Sequence, residues 1–206
     1  MSTFPCRIGV VRNAFIMTKA NVAIILAASE YDNLNPLPAC RKDADVMRSI
    51  IDSPGKFRPE HILCIDTETT SSTVKAAVSK FLSSLEGTVV GELFFYYSGH
   101  GMFEGEFHFL FTDYDETRKR QTTLSNTELD AMLKGQDPEL AIKVVDACQC
   151  GQNYVKSRES FGKALQETQA RFNSRYFMFS SDQQQSSFAS NVISDLTHQF
   201  ALSVMS

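Results

Sequence analysis

Two short segments of this 206-residue chain hold the residue types from which covalent chemistry is built. Phe94, Phe95, Tyr96 and Tyr97 run into Ser98-Gly99-His100-Gly101, and Val144 and Val145 run into Asp146-Ala147-Cys148. A thiol attacks as its thiolate, and a free cysteine with a pKa of about 8.5 is mostly protonated at neutral pH. A neighbouring imidazole takes that proton and later gives it to a leaving amine. His100 stands between two glycines, so a tight loop is expected there, in which the backbone approaches a substrate closely. The N–H of Gly101, with that of Cys148, is then available to an oxyanion.

Both segments begin as unbroken apolar runs, the pattern of strands buried on both faces of a parallel sheet. Residues at the carboxyl ends of adjacent strands in such a sheet share one crevice, where ligands bind. The remaining chain supplies the other elements. Residues 21–29 read as a first buried strand and 39–51 as a helix, with Ala44, Met47, Ile50 and Ile51 at helical spacing. A short strand is expected at 61–66. A second helix is expected at 72–85, with Val74, Val78, Phe81, Leu82 and Leu85 on its apolar face. Residues 107–111 suit a hairpin partner behind Gly105. Ser125 and Glu128 form a capping box that opens a short helix closed by Gly135. Strands follow at 140–145 and 176–180, then a last helix at 193–205. Strands alternating with helices imply a three-layer α/β domain with a mostly parallel central sheet flanked by helices.

Composition bounds the function. Hydrophobic residues make up 43% and charged residues 21%, and the net charge is −4. One sizeable core, hence one domain over 1–206, accounts for this length. Residues 1–20 are read as an N-terminal extension and 152–174 as a polar linker within the domain. No basic block recruits nucleic acid, and no apolar stretch is long enough to span a membrane. Five cysteines, an odd number, argue against a disulfide framework and for a reducing, cytoplasmic setting. Arg7, Arg12 and Lys19 before residues 22–28 loosely mimic a secretory signal, but the run is short and serves better as the first core strand.

The segments YYSGHG at 96–101 and DACQCG at 146–151 resemble the paired motifs of caspase-fold cysteine peptidases, the caspases, metacaspases and their bacterial relatives. His100 lies about 50 residues upstream of Cys148, the interval of the caspase signature. LPACRKDADVM at 37–47 and SSDQQQSS at 180–187 are weaker likenesses to the same family. The resemblance implies a caspase-like sandwich in which Cys148 is the nucleophile, His100 the base and Gly101 part of the oxyanion hole. It selects Cys148 over Cys150, and a lone Cys-x-Cys lacks the further ligands zinc needs.

Position 146 bears on specificity. Caspases that cut after aspartate carry glutamine two places before the cysteine, whereas metacaspases, which cut after arginine or lysine, carry aspartate. Asp146 therefore resembles part of an acidic S1 pocket for a basic side chain, with Ser98 lining it and Glu30 or Asp32 as a second carboxylate. Cleavage after Asp is the alternative. Asp113, Asp115 and Glu116 read as a solvated turn rather than a calcium site, so no metal and no cofactor are expected. The expected partner is a protein or peptide substrate added as a strand, with an activating partner or further domains of a larger assembly. Lys156, Arg158, Lys163 and Arg171 make self-cleavage in the 152–174 stretch chemically feasible. The rival reading is a caspase-fold scaffold that keeps the dyad without using it.

Overall fold

The computed structural model describes residues 19–52, 55–149 and 175–180 together with Thr197, and for Cys148, Gln149 and residues 175–180 other than Met178 the main chain alone. In chain order the elements are β1 (Ala20–Ala27), α1 (Ala39–Asp52), β2 (Ile62–Ile65), α2 (Ser71–Ser84), β3 (Val90–Glu104) and β4 (Glu106–Leu110). They continue with α3 (Lys119–Thr122), β5 (Thr123–Ser125), α4 (Asn126–Lys134), β6 (Leu140–Gln149) and β7 (Arg175–Ser180). The expected linker, the last helix and the 180–187 stretch lie, but for Ser180 and Thr197, outside the described residues, as does most of the N-terminal extension.

Among the described residues, β2, β1, β3, β6 and β7 lie side by side and all parallel, while β4 and β5 join as an antiparallel extension. Alternation along the strands sends Val22, Ile24, Leu26, Phe95, Tyr97 and Val145 to one face, where α2 and α4 pack. Ala23, Ile25, Ala27, Phe94, Tyr96 and Val144 go to the other face, with Ala44, Met47 and Ile51 of α1. The result is the three-layer α/β sandwich the pattern implies. Val74, Val78, Leu82 and Leu85 are buried as expected of the second helix face, and Phe81 packs at its margin.

Three local expectations need correction. The SGHG segment is not a tight loop: β3 stays extended through it to Glu104 and turns only at Gly105, whose φ of +76° is cheap for a residue without Cβ. Likewise β6 continues through Asp146 to Gln149. The capping box forms by half. Ser125 Oγ accepts from the Glu128 N–H at 3.1 Å, but the Glu128 carboxylate pairs with Lys75 of α2 at 2.9 Å. A further orphan donor of the helix, the Thr127 N–H, is capped by Glu106, at 2.7 Å. The carboxylates of the 113–116 turn also hold structure: Asp113 accepts from the Ser71 N–H at the start of α2, and Asp115 binds Thr117 and Arg118.

Periodicity alone gave no warning of Lys143. It lies mid-strand in β6, fully buried on the α4 side, where Nζ donates to Asp130 Oδ1 and, at 2.8 Å, to Asn126 Oδ1. Asn126 Nδ2 in turn donates to Asp130 Oδ2 at 3.1 Å, so the network ties β6 to the first turns of α4. Removing one member of a buried ion pair leaves a charge without its counterion, which costs about 3–5 kcal/mol, whereas replacing both by apolar groups of similar volume is often neutral. Lys143→Met should therefore lower the urea midpoint sharply, and Lys143→Met/Asp130→Leu should recover most of the loss. An additive double variant would show that the pair does not couple.

Candidate active site

The site forms where β3 and β6 run on together past the end of β1. Their parallel register places Ser98 opposite Asp146 and His100 opposite Cys148. Adjacent strands lie about 4.8 Å apart, so the backbones of the expected base and nucleophile are immediate neighbours. Gly101, the next residue, must be small: a Cβ there would run into the Phe107 ring and approach Ala147 Cβ to 3.3 Å.

His100 is buried, on the sheet face that α1 covers. Its Nε2 lies 2.8 Å from the carbonyl oxygen of Asn35, in the loop after β1. A carbonyl only accepts, so this contact puts the proton on Nε2 and leaves Nδ1 as the basic nitrogen. The Tyr31 ring packs against the imidazole, with centroids 4.7 Å apart. Burial lowers the pKa of His100 and outweighs the Asn35 hydrogen bond, which raises it. Burial thus favours the neutral imidazole, the state a base requires.

One step deeper lies a group of carboxylates and hydroxyls. Ser98 Oγ donates to Asp43 Oδ2 at 3.0 Å, both residues being buried. Thr197 Oγ1 donates to Asp146 Oδ2 at 3.5 Å and lies 2.6 Å from Tyr96 Oη. With the Thr197 proton directed at Asp146, the short contact is a Tyr96 O–H donating to Thr197. Burial first, then the negative charges of Asp146 and Asp43, push the Tyr96 phenol well above its ordinary pKa, so it keeps that proton.

Asp146 and Ser98 are register partners on adjacent strands, whereas Glu30 and Asp32 are both exposed. The carboxylate bonded to Ser98 is Asp43, on the buried face of α1. Sequence reasoning missed it, although it sits within the 37–47 stretch. The available signal was its helical phase: Asp43 falls between Cys40 and Met47 on the apolar face, where a carboxylate needs a reason to be. Thr197 had no signal of its own.

The chain matches the family described as Caspase domain over residues 20–200. Among solved structures, a protein from Geobacter sulfurreducens is 21% identical over 65% of this chain and 52% of its own, with a TM-score of 0.47. The structure of pro-sf-caspase-1 is 15% identical over 72% of this chain and 55% of its own, with a TM-score of 0.43. The chain thus spans about half the length of these structures. No curated protein matches it. No helix among the described residues is long and apolar enough to cross a membrane.

The depressed pKa of His100 has a measurable consequence. Its imidazole resonances should titrate below the ordinary value of 6.5. Between the folded value and 6.5 the unfolded chain binds more protons than the folded one, so stability falls as pH drops through that window. His100→Asn should flatten that part of the stability profile. A titration midpoint above 6.5 would mean that burial does not dominate.

Proposed function

The chain belongs to the caspase-domain family, with the protease-type fold that this brings, and we propose that it is a cysteine endopeptidase that cleaves after arginine or lysine. The observation carrying this reading is the register of β3 against β6, in which the Ser98–Asp146 and His100–Cys148 pairs sit two residues apart. In this reading nucleophile, base and pocket residues come from two adjacent strands.

In this reading the Cys148 thiol gives its proton to His100 Nδ1, and the thiolate attacks the scissile carbonyl. The resemblance gives the oxyanion to the N–H groups of Gly101 and Cys148, which must turn out of the β3–β6 ladder to meet it. The imidazolium then protonates the leaving amine as the C–N bond breaks. Water, deprotonated by His100, hydrolyses the thioester and restores the thiol. The residues present suffice for these steps without a cofactor.

Asp43 and Asp146 support the basic specificity. A guanidinium offers five donors in a fixed fork, suited to two carboxylates, and Ser98 holds one of them in position. Asp43 takes the part expected of Glu30 or Asp32. The substrate is a protein or peptide segment bound as a strand, with cytoplasmic action under an activating signal, in cell-death or defence-type proteolysis. Metacaspase-like specificity is thus favoured over cleavage after aspartate.

Fluorogenic peptides ending in Arg, Lys or Asp, offered to wild type and Cys148→Ala, test the proposal. Cleavage after Arg and Lys that vanishes in Cys148→Ala is the expected result. Asp43→Asn and Asp146→Asn should each weaken kcat/KM for the Arg peptide by about 2–5 kcal/mol, the cost of losing one member of a desolvated charge pair. Cleavage after Asp alone would overturn the pocket assignment. Silence on every peptide, with no labelling of Cys148 by peptidyl electrophiles, would favour the scaffold reading.

A further inference from the structure

The main chain of His100 poses a backbone accounting problem. Gly101 pairs with Gln149 of β6 and with Phe109 of β4, so these two strands lie on opposite edges of β3 and β4 occupies the edge that β1 has left. The last contact on that edge is the Ala28 N–H donating to the Ser98 carbonyl at 2.9 Å. Strand alternation turns the N–H and C=O of His100 to the same edge as those of Ser98. His100 therefore falls at the seam between a strand that has ended and one that has just begun. Buried backbone groups at such a gap need partners.

Two tyrosine hydroxyls supply them. The His100 N–H donates to Tyr31 Oη at 2.8 Å. Tyr97 Oη lies 2.6 Å from the His100 carbonyl and 2.6 Å from that of Leu110, the β4 residue across the seam. Tyr31 Oη also reaches the Leu110 carbonyl, at 3.4 Å. Each phenol has one proton. Tyr97 donating to His100 and Tyr31 to Leu110 gives each carbonyl a donor while Tyr31 accepts from the His100 N–H. Burial pushes the Tyr97 phenol well above its ordinary range, which keeps it a donor. Gly99 fits the same arrangement, because a Cβ there would meet Tyr97 Oη at 2.5 Å and Tyr31 Oη at 2.8 Å.

We propose that Tyr31 and Tyr97 are positioning residues that clamp the N–H and the C=O of His100 at the vacated edge of β3 and so fix the imidazole opposite Cys148. Tyr31 acts twice, since its hydroxyl holds the amide while its ring lies against the imidazole. The proposal rests on the reading of His100 as the base, and it explains why a histidine flanked by two glycines keeps one orientation. Without the two hydroxyls the His100 main chain would be held at its β6 edge alone, and a displacement of about 1 Å at a reacting group can cost about 100-fold in rate.

The test uses Tyr31→Phe and Tyr97→Phe, which keep each ring and remove only its hydroxyl. With the Arg peptide, Tyr31→Phe should lower kcat about 10- to 100-fold with KM little changed, the signature of lost positioning rather than lost binding. Amide exchange at His100 should accelerate while exchange in α2 and α4 stays as in wild type. Tyr97→Phe should act the same way. Because Tyr97 is fully buried, its kcat is read well below its own melting temperature, and if it does not fold Tyr31→Phe alone decides. Wild-type kcat and wild-type His100 exchange in Tyr31→Phe would overturn the clamp, as would a loss confined to KM. If wild type itself cleaves nothing and Cys148 reacts equally fast in His100→Asn, the base reading fails separately. His100 amide exchange in Tyr31→Phe then judges the clamp alone, acceleration supporting it and an unchanged rate sinking it.

Discussion

The parallel ladder between β3 and β6 runs from Glu92 opposite Leu140 to Gly101 opposite Gln149, and the whole arrangement depends on its register. Side chains alternate between layers along a strand, so a slip of one residue would exchange the contents of the two helical layers. Val144 and Asp146 would leave the α1 face, and Lys143 would be driven into it. Apolar contacts alone set this register weakly, because Val144 and Val145 would be accepted on either face. Lys143 is not interchangeable: on the α4 side its ammonium meets Asn126 and Asp130, both buried. The ion pair thus supplies register specificity where hydrophobicity does not discriminate.

A second feature follows from unequal strand lengths. Since β1 stops at Ala27 while β3 continues to Glu104, one edge of β3 is vacated at the level of the site. The loop after β1 can then cross over β3 and bring the Asn35 carbonyl to the imidazole and the Tyr31 hydroxyl to the His100 amide. Had β1 run two residues further, its ladder would occupy the His100 edge and exclude both contacts. The crevice therefore owes its shape to where a neighbouring strand ends, not to any residue within SGHG.

Much of this was legible before any coordinates. The apolar runs at 21–29 and 94–97 announced buried parallel strands, and Val74, Val78, Leu82 and Leu85 announced the inner face of α2. The adjacency of His100 and Cys148 followed from the motif pair. What escaped notice had tertiary causes. The glycines of SGHG suggested a loop because local preference is blind to β6, whose ladder keeps the segment extended. Asp43 looked like an ordinary helix carboxylate until Ser98 was seen beneath it. Glu128 met the sequence rule for a capping box, but Lys75 on another helix holds its carboxylate. Thr197 belongs to the site only because the chain returns to it from far away.

The placement of charge completes the picture. A carboxylate beside a base histidine stabilises imidazolium, which would leave the base already protonated at neutral pH. Here the charges of Asp146 and Asp43 raise the pKa of Tyr96, while burial is the largest influence on His100 and lowers its pKa. The pleat accounts for the separation: Ser98 and Asp146 stand one full repeat, about 6–7 Å, before His100 and Cys148 along the two strands. An acidic pocket and a neutral imidazole can therefore occupy the same face of one sheet. Moving either carboxylate forward by one repeat would trade the base for an ion pair.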